Sequence, residues 1–280
     1  MGGVSRGRIS GKTRLLALIG HPVDHSLSPA MHNASFVADG LDFVYVCLDV
    51  HPDELPAAVR GLAALRLRGF NVTMPHKRAM IPLLNELDES ARVSGAVNTV
   101  VIEDSALRGF NTDGGGMVMA CREAGIEPSG KRVLLLGAGG TAAAIAVAFG
   151  KAGADELHIA NRSVERAAHL RDKLHGTGVK GLAVHHLDAL PDAEIVINTT
   201  PLGMKEGDPI PVPPDYVREG RVFCDAVYRP GTETPLIRLA RERGVPVVAG
   251  GRMLLYQGVL AQKLWTGREP NVKAMDLAIS

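Results

Sequence analysis

Four short clusters in the first 114 residues bring together groups able to bind anions or move protons. His25-Ser26-Leu27-Ser28-Pro29 sets two hydroxyls one residue apart, next to a proline suited to the first turn of a helix. Hydroxyls at a helix N-terminus suit a small anion such as a carboxylate. Plain N-capping would account for Ser28 and leave Ser26 idle. The other three clusters are Asn71-Val72-Thr73-Met74-Pro75-His76-Lys77, Gly95-Ala96-Val97-Asn98-Thr99 and Asn111-Thr112-Asp113-Gly114. Taken singly, Lys77 reads as a surface lysine and Asp113 as a helix cap.

A sharper signal follows. Val133-Leu134-Leu135-Leu136 runs into Gly137-Ala138-Gly139-Gly140-Thr141-Ala142. A G-x-G-x-x-A turn between a buried strand and a helix is a dinucleotide fingerprint. Gly137 allows the tight turn, Gly139 lets backbone approach a pyrophosphate, and Ala142 allows close packing of helix on strand. The pyrophosphate would sit where free N–H groups and the helix dipole favour anions. The end of the next strand selects the dinucleotide, since an NAD site usually places Asp or Glu there for the ribose 2′-hydroxyl. This chain has Asn161-Arg162-Ser163, with Arg166 one helical turn beyond Arg162. Two guanidinium groups and no strand-end carboxylate favour a 2′-phosphate, hence NADP.

Such a cofactor needs a proton carrier beside it. A zinc alcohol dehydrogenase is disfavoured, because Cys47, Cys121 and Cys224 are scattered and give no ligand pattern. A Tyr-x-x-x-Lys pair is absent, because the four tyrosines are followed four residues later by Asp49, Gly220, Thr232 and Leu260. The carrier is therefore expected in the first domain. His21 and His25 have helical metal-binding spacing, but Pro22 between them opposes a helix. Asp24-His25-Ser26 holds the residue types of a hydrolase triad, but adjacent residues cannot face one another as a triad requires. Gly7-Arg8-Ile9-Ser10-Gly11-Lys12-Thr13 is one residue too short for a phosphate loop and follows no strand.

Elements must position these groups. The 280 residues suit two domains. Apolar patterning predicts strands over 15–19, 69–73, 97–103 and 107–110, the last two forming a hairpin, and a helix over 52–67. Gly114-Gly115-Gly116 interrupts the pattern and reads as a hinge at a domain boundary. Beyond it, strands over 133–136, 156–160, 195–198, 221–224 and 245–248 alternate with helices over 141–151 and 164–175. Short all-apolar strands alternating with helices imply a parallel sheet covered on both faces. The apolar helix over 253–265 is expected to return to the first domain. The expected fold is thus α/β, an N-terminal α/β substrate domain with a mixed sheet and a doubly wound Rossmann-type NADP domain. The expected boundaries are a flexible extension over 1–14, a substrate domain over 15–113 plus 251–280, and an NADP domain over 114–250. A net charge of +1 gives no reason to expect nucleic acid or a membrane surface as partner. The odd, unpaired cysteines and the lack of an apolar leader point to the cytoplasm.

Taken together, the motifs resemble the shikimate dehydrogenase family from about residue 15 to 267. The likeness rests on the clusters above, with His32-Asn33, Asn161-Arg162-Ser163 and Asn198-Thr199-Thr200-Pro201-Leu202-Gly203-Met204. It continues through Tyr228-Arg229-Pro230, Thr234-Pro235-Leu236, Met253-Leu254, Gln257 and Trp265-Thr266-Gly267. The resemblance implies NADP-linked, reversible reduction of 3-dehydroshikimate to shikimate in chorismate and aromatic amino-acid biosynthesis. It implies that Ser26 and Ser28 hold the carboxylate, and that Thr73, Asn98, Tyr228 and Gln257 frame the ring hydroxyls. Lys77 is implied as the acid/base with Asp113 beside it, and no metal takes part. The implied cofactor contacts are Glu89, Gly137, Ala138, Gly139, Gly140, Thr141, Asn161, Arg162, Ser163, Arg166, Ala226 and Gly250. A small-molecule substrate and a homodimer are expected. His76 and Arg252 stand at positions that vary in the family. The competing readings are a quinate/shikimate dehydrogenase of broader range and a non-catalytic NADP-binding regulator.

Overall fold

The computed structural model describes residues 9–280, which divide into two compact units. One comprises the chain up to Thr112 together with Gly258–Ser280, and the other is Asp113–Gln257. The expected extension lies outside the described residues over 1–8. Beyond them, the Thr13 hydroxyl donates to Asp42 at 2.7 Å, and Arg14 already opens the first strand.

The first unit contains β1 (Arg14–Gly20), α1 (Ser28–Ala38), β2 (Phe43–Asp49), α2 (Leu55–Ala64) and β3 (Gly69–Val72). It continues with β4 (Glu86–Leu87), α3 (Glu89–Ser94), β5 (Thr99–Glu103) and β6 (Ala106–Phe110). They form one mixed sheet of order β2-β1-β3-β5-β6-β4. β1 runs parallel to β2 and β3, whereas β5 pairs antiparallel with β3 and β6. β5 and β6 close through Asp104 and Ser105, both at positive φ, which matches the right-handed twist of a two-residue hairpin. After Arg14, β1 is apolar because both its faces are covered. Ala17 and Ile19 join the core with Leu55, Val59 and Leu62 of α2, while Leu16 and Leu18 join Phe36, Tyr45 and Trp265.

The second unit contains α4 (Asp113–Glu123), β7 (Arg132–Leu136), α5 (Gly140–Lys151), β8 (Glu156–Asn161), α6 (Val164–Leu174) and β9 (Leu182–His186). Then come β10 (Ile195–Asn198), β11 (Val222–Asp225), α7 (Pro235–Glu242), β12 (Val247–Val248) and α8 (Gly250–Thr266). Its sheet is wholly parallel, of order β12-β11-β10-β7-β8-β9. The order reverses between β7 and β10, the place where doubly wound folds bind ligands beyond the strand ends. The unit division falls inside α8, between Gln257 and Gly258. The short α9 (Val272–Leu277) ends the chain, and Asn271 caps it.

The units divide between Thr112 and Asp113, beside the expected glycine boundary, but the glycine run itself is helical and does not interrupt the pattern. Gly114-Gly115-Gly116 forms the first turn of α4, and Gly114 and Gly116 are buried. A Cβ at Gly114 would lie 2.0 Å from the carbonyl oxygen of Ala144 in α5, and one at Gly116 would lie 2.7 Å from the Gln257 nitrogen in α8. Three helical glycines cost about 2–3 kcal/mol against alanine in propensity. Bare backbone at two of these positions is what lets α5 and α8 pack so closely on α4.

Candidate active site

In the first unit, the loops leaving β1 and β3 lie side by side. His21 N–H donates to the Met74 carbonyl at 3.0 Å, and Thr73 N–H to that of Ile19 at 2.9 Å. Gly20 makes this possible, since a Cβ there would stand 2.3 Å from the Thr73 methyl. The buried His76 anchors the loop through Nε2, which lies 2.7 Å from the Val50 carbonyl and so must carry the hydrogen. The half-buried Lys77 follows, and its carbonyl accepts from Val97 N–H at 2.8 Å. Lys77 and Asn98 are thus fixed on adjoining backbone segments.

A buried chain of hydrogen bonds orients the rest. Asn33 on α1 grips the edge strand β2, its amide donating to the Tyr45 carbonyl and accepting Tyr45 N–H, both at 2.8 Å. The Tyr45 hydroxyl, bonded with Ser28, donates to Asn71 Oδ1 at 2.7 Å. Burial holds its pKa well above the ordinary phenol range, so it remains a donor. Asn71 Nδ2 donates to the Asn98 carbonyl and to Thr99 Oγ1. The Thr99 hydroxyl and Thr112 N–H then both donate to Asn98 Oδ1 at 2.9 Å, which fixes the direction of the Asn98 amide. Ser26 accepts the Ser28 N–H at 3.2 Å, so the second hydroxyl helps shape the turn. The result is a buried set of hydroxyl and amide groups of fixed polarity, bonded to one another, that holds the Asn98 amide in one orientation.

The second unit holds Asp113, Tyr228, Gln257 and all the expected cofactor contacts except Glu89. Glu89 sits exposed in the first turn of α3 in the other unit. Gly137 adopts φ +111°, and a Cβ there would meet Thr199 Oγ1 at 2.7 Å, so the fold itself demands glycine. Gly139 differs. Its φ is −91°, and a Cβ there would meet nothing within 4 Å. No protein group requires a glycine at that position, but a ligand backed onto the main chain would. Beside it, α5 begins without a side-chain cap, leaving its first N–H groups to an anion. Ala138, Gly140 and Thr141 are half-buried around this turn. These features fit a dinucleotide pyrophosphate.

At the end of β8, Asn161 Nδ2 donates to the Ser163 carbonyl, and Ser163 caps α6 by accepting Arg166 N–H at 3.3 Å. Arg162 and Arg166 are exposed, and neither guanidinium has a hydrogen bond or ion pair among the described residues. The neighbouring carboxylate, Glu165, is taken up by the Ser163 hydroxyl at 2.7 Å, which holds its pKa below the usual range. Across the sheet, Gly250 opens α8 against the turn after β11, where a Cβ would lie 2.1 Å from the Val227 carbonyl. Ala226 and Tyr228 flank that carbonyl. His21 and His25 pair separately, with Asp49 at 2.5 Å and Asp24 at 3.2 Å, and no cluster able to hold a metal occurs among the described residues.

Three family models match the chain. They are described as the shikimate dehydrogenase substrate binding domain over residues 18–100, shikimate/quinate 5-dehydrogenase over 119–202, and the shikimate 5′-dehydrogenase C-terminal domain over 250–276. The shikimate dehydrogenase (NADP+) of Rubrobacter xylanophilus is 58% identical, covering 98% of both chains. The chain belongs to the shikimate dehydrogenase family. The family's NADP+ enzyme from Moorella thermoacetica is 49% identical, covering 96% of this chain and 93% of its own. The Thermus thermophilus shikimate 5-dehydrogenase, crystallised with NADP(H) and shikimate, superimposes with a TM-score of 0.87 at 35% identity, covering 95% and 98% of the two chains. Motif reading singles out Asn98 and Lys77, which the structure places on adjoining backbone segments. It gives no role to Tyr45, Asn71 or Thr112, the groups of the network around Asn98.

Proposed function

We propose that this protein catalyses the reversible, NADP-dependent reduction of 3-dehydroshikimate to shikimate, serving chorismate and aromatic amino-acid biosynthesis. What supports the reading above all is the 58% identity, over 98% of both chains, to a shikimate dehydrogenase (NADP+), beside a buried polar chain from Ser28 through Tyr45 and Asn71 that holds Asn98 in place. Ser26 and Ser28 hold the carboxylate. Thr73, Asn98, Tyr228 and Gln257 position the ring hydroxyls, and a site built this way rejects analogues lacking one, because its own groups would be left unpaired. Bound NADP(H) supplies or accepts the hydride. Lys77 gives the proton to the carbonyl oxygen during reduction and takes it back during oxidation, with Asp113 as its acid–base partner. Gly137, Ala138, Gly139, Gly140, Thr141, Asn161, Arg162, Ser163, Arg166, Ala226, Gly250 and Glu89 are assigned to the cofactor, with the two arginines on the 2′-phosphate.

The deciding experiment assays purified protein with shikimate and with quinate, each with NADP+ and NAD+. Turnover of shikimate with NADP+ is expected, and activity confined to quinate or to NAD+ would overturn the proposal. We place the enzyme in the cytoplasm as a homodimer. A reducing compartment suits Cys121 and Cys224, free thiols that share a hydrogen bond at 3.8 Å. No helix among the described residues is long and apolar enough to cross a membrane. Cell fractionation and sedimentation test the two placements.

A further inference from the structure

Asp225 ends β11 with no exposed surface, and the roles proposed above do not use it. Its carboxylate draws together three pieces of chain. Oδ1 accepts Asn198 Nδ2–H from the end of β10 and Val227 N–H from the following turn, both at 2.9 Å. Oδ2 accepts the Thr234 hydroxyl at 2.6 Å, and Thr234 is the N-cap of α7. Asn198 is itself the hub of the next loop, donating to the Leu202 carbonyl and accepting from Thr200. On the far side of the turn, Gly250 presses on the Val227 carbonyl. The segment Ala226-Val227-Tyr228 is therefore clamped between the Asp225 carboxylate and the start of α8.

We infer that ionised Asp225 is a positioning residue, holding the 226–228 turn in the register that presents Ala226 to the cofactor and Tyr228 to the substrate. This rests on the roles proposed for those two residues. Only neutral donors hold the charge. No cation stands against it among the described residues, and its titratable neighbour is the Cys224 thiol, which Cys121, burial and the Asp225 charge push upward. Burial accordingly raises the Asp225 carboxyl to about 6. Protonation on Oδ2 would force the Thr234 hydroxyl to turn from donor to acceptor and would weaken the grip on Val227. Activity should therefore fall on the acid side as this group takes up its proton.

Asp225→Asn imitates the protonated acid, keeping Oδ1 as acceptor and placing a donor where Oδ2 was. It should fold and should lower kcat/KM by roughly 10- to 100-fold, as expected for a misplaced contact residue. Its acid limb should be lost, leaving a flat profile near the wild-type low-pH level. Thr234→Val removes the donor to Oδ2 and should move the acid limb to higher pH, while Thr234→Ser should restore it. At a fixed pH near 7, protection of the Val227 amide in the ligand-free protein should be lower in Asp225→Asn than in wild type, because the bond to Oδ1 is weakened. An Asp225→Asn enzyme with the wild-type acid limb and unaltered Val227 exchange overturns the inference. If kcat/KM is unchanged while exchange rises, Tyr228→Phe finds the fault. A silent Tyr228→Phe refutes the role given to Tyr228, and a damaging one refutes that given to Asp225.

Discussion

The two units carry their functional groups in opposite states. In the first, the polar groups around Asn98 are already bonded to one another. Tyr45, Asn71, Thr99 and Thr112 leave the Asn98 amide no freedom of direction. In the second, the turn after β7 ends in an uncapped helix, Gly139 faces open space, and Arg162 and Arg166 have no side-chain partner among the described residues. A saturated network fixes geometry before a ligand arrives, so damage to it should appear in turnover and in stability. An unsaturated cradle meets its partner only in the ligand, so damage to it should appear in affinity.

The largest effect should come from Lys77. If it moves the proton, Lys77→Ala should lower kcat by roughly 10²–10⁴-fold, the usual scale for acid–base catalysis. A residue that merely anchored substrate would raise KM and spare kcat. NADP affinity should stay near normal, because Lys77 belongs to the substrate-side unit. Asp113→Asn should also cost rate, since it removes the carboxylate assigned as the acid–base partner of Lys77. The double mutant should be no worse than Lys77→Ala if the two act as one unit. Steady-state kinetics of the three variants decide this, and near-normal kcat in Lys77→Ala would refute the assignment.

Next in size is a stability effect inside the first unit. The buried His32 lies 3.0 Å from Gln262 Oε1 through Nδ1, and Gln262 Nε2 donates to Ser35. His32 Nδ1 must therefore carry the hydrogen, and Nε2 has no partner among the described residues. Burial lowers the His32 pKa to about 4. The unfolded chain takes up this proton near pH 6.5, before the folded one does. The contribution is therefore complete above pH 6.5 and is lost as pH falls toward 4, on the order of 3 kcal/mol in all. Asp225 works the other way. Its raised carboxyl contributes stability below its unfolded value, and this is lost as pH rises through about 6. The two slopes oppose each other between pH 4 and 6, so wild type alone would hide both. Urea unfolding of wild type and His32→Gln across pH 4–8 should show their difference shrinking as pH falls. A constant difference would remove His32 as the cause.

The arginines bring the comparison to affinity. A hydrogen bond to a charged group is worth about 1.5–3 kcal/mol, so Arg162→Ala should weaken NADP by roughly 10- to 150-fold. NAD should be nearly unaffected. Equal losses for both cofactors in a binding titration would end the 2′-phosphate assignment.

The contrast between the units also explains what the sequence could reveal. The second sheet was legible because all-apolar strands alternate with helices, and β7, β10 and the turn at Gly137 lie close to where the pattern puts them. β2 escaped because Phe43–Asp49 is an edge strand with mixed burial, and β9 because its two histidines mask the apolar alternation. The glycine run stands beside the unit boundary as expected, but its helical state was hidden because propensity speaks against a helix, and only Ala144 and Gln257, distant in sequence, supply the reason for one. Lys77 and Asn98 stand in recognisable motifs. Tyr45 and Asn71 act through partners 26 to 28 residues away, a relation that no local spacing encodes.

The smallest effect is the most discriminating, because it separates two glycines two residues apart. Gly137→Ala puts a side chain at φ +111°, a left-handed conformation costing about 1–3 kcal/mol, and drives it against Thr199. The Tm should fall whether or not NADP is present. Gly139→Ala places its methyl in open space at an ordinary φ. Replacing glycine by alanine at an N-cap should cost under about 1 kcal/mol, so the Tm without ligand should barely move. The same methyl would stand where a pyrophosphate must approach the backbone, so NADP binding should weaken and the stabilisation that NADP adds should shrink with it. The second glycine is then kept for the ligand and the first for the fold. Thermal scans of both variants with and without NADP test this directly. A Gly139→Ala protein that NADP stabilises as fully as wild type would show that the turn does not hold the pyrophosphate.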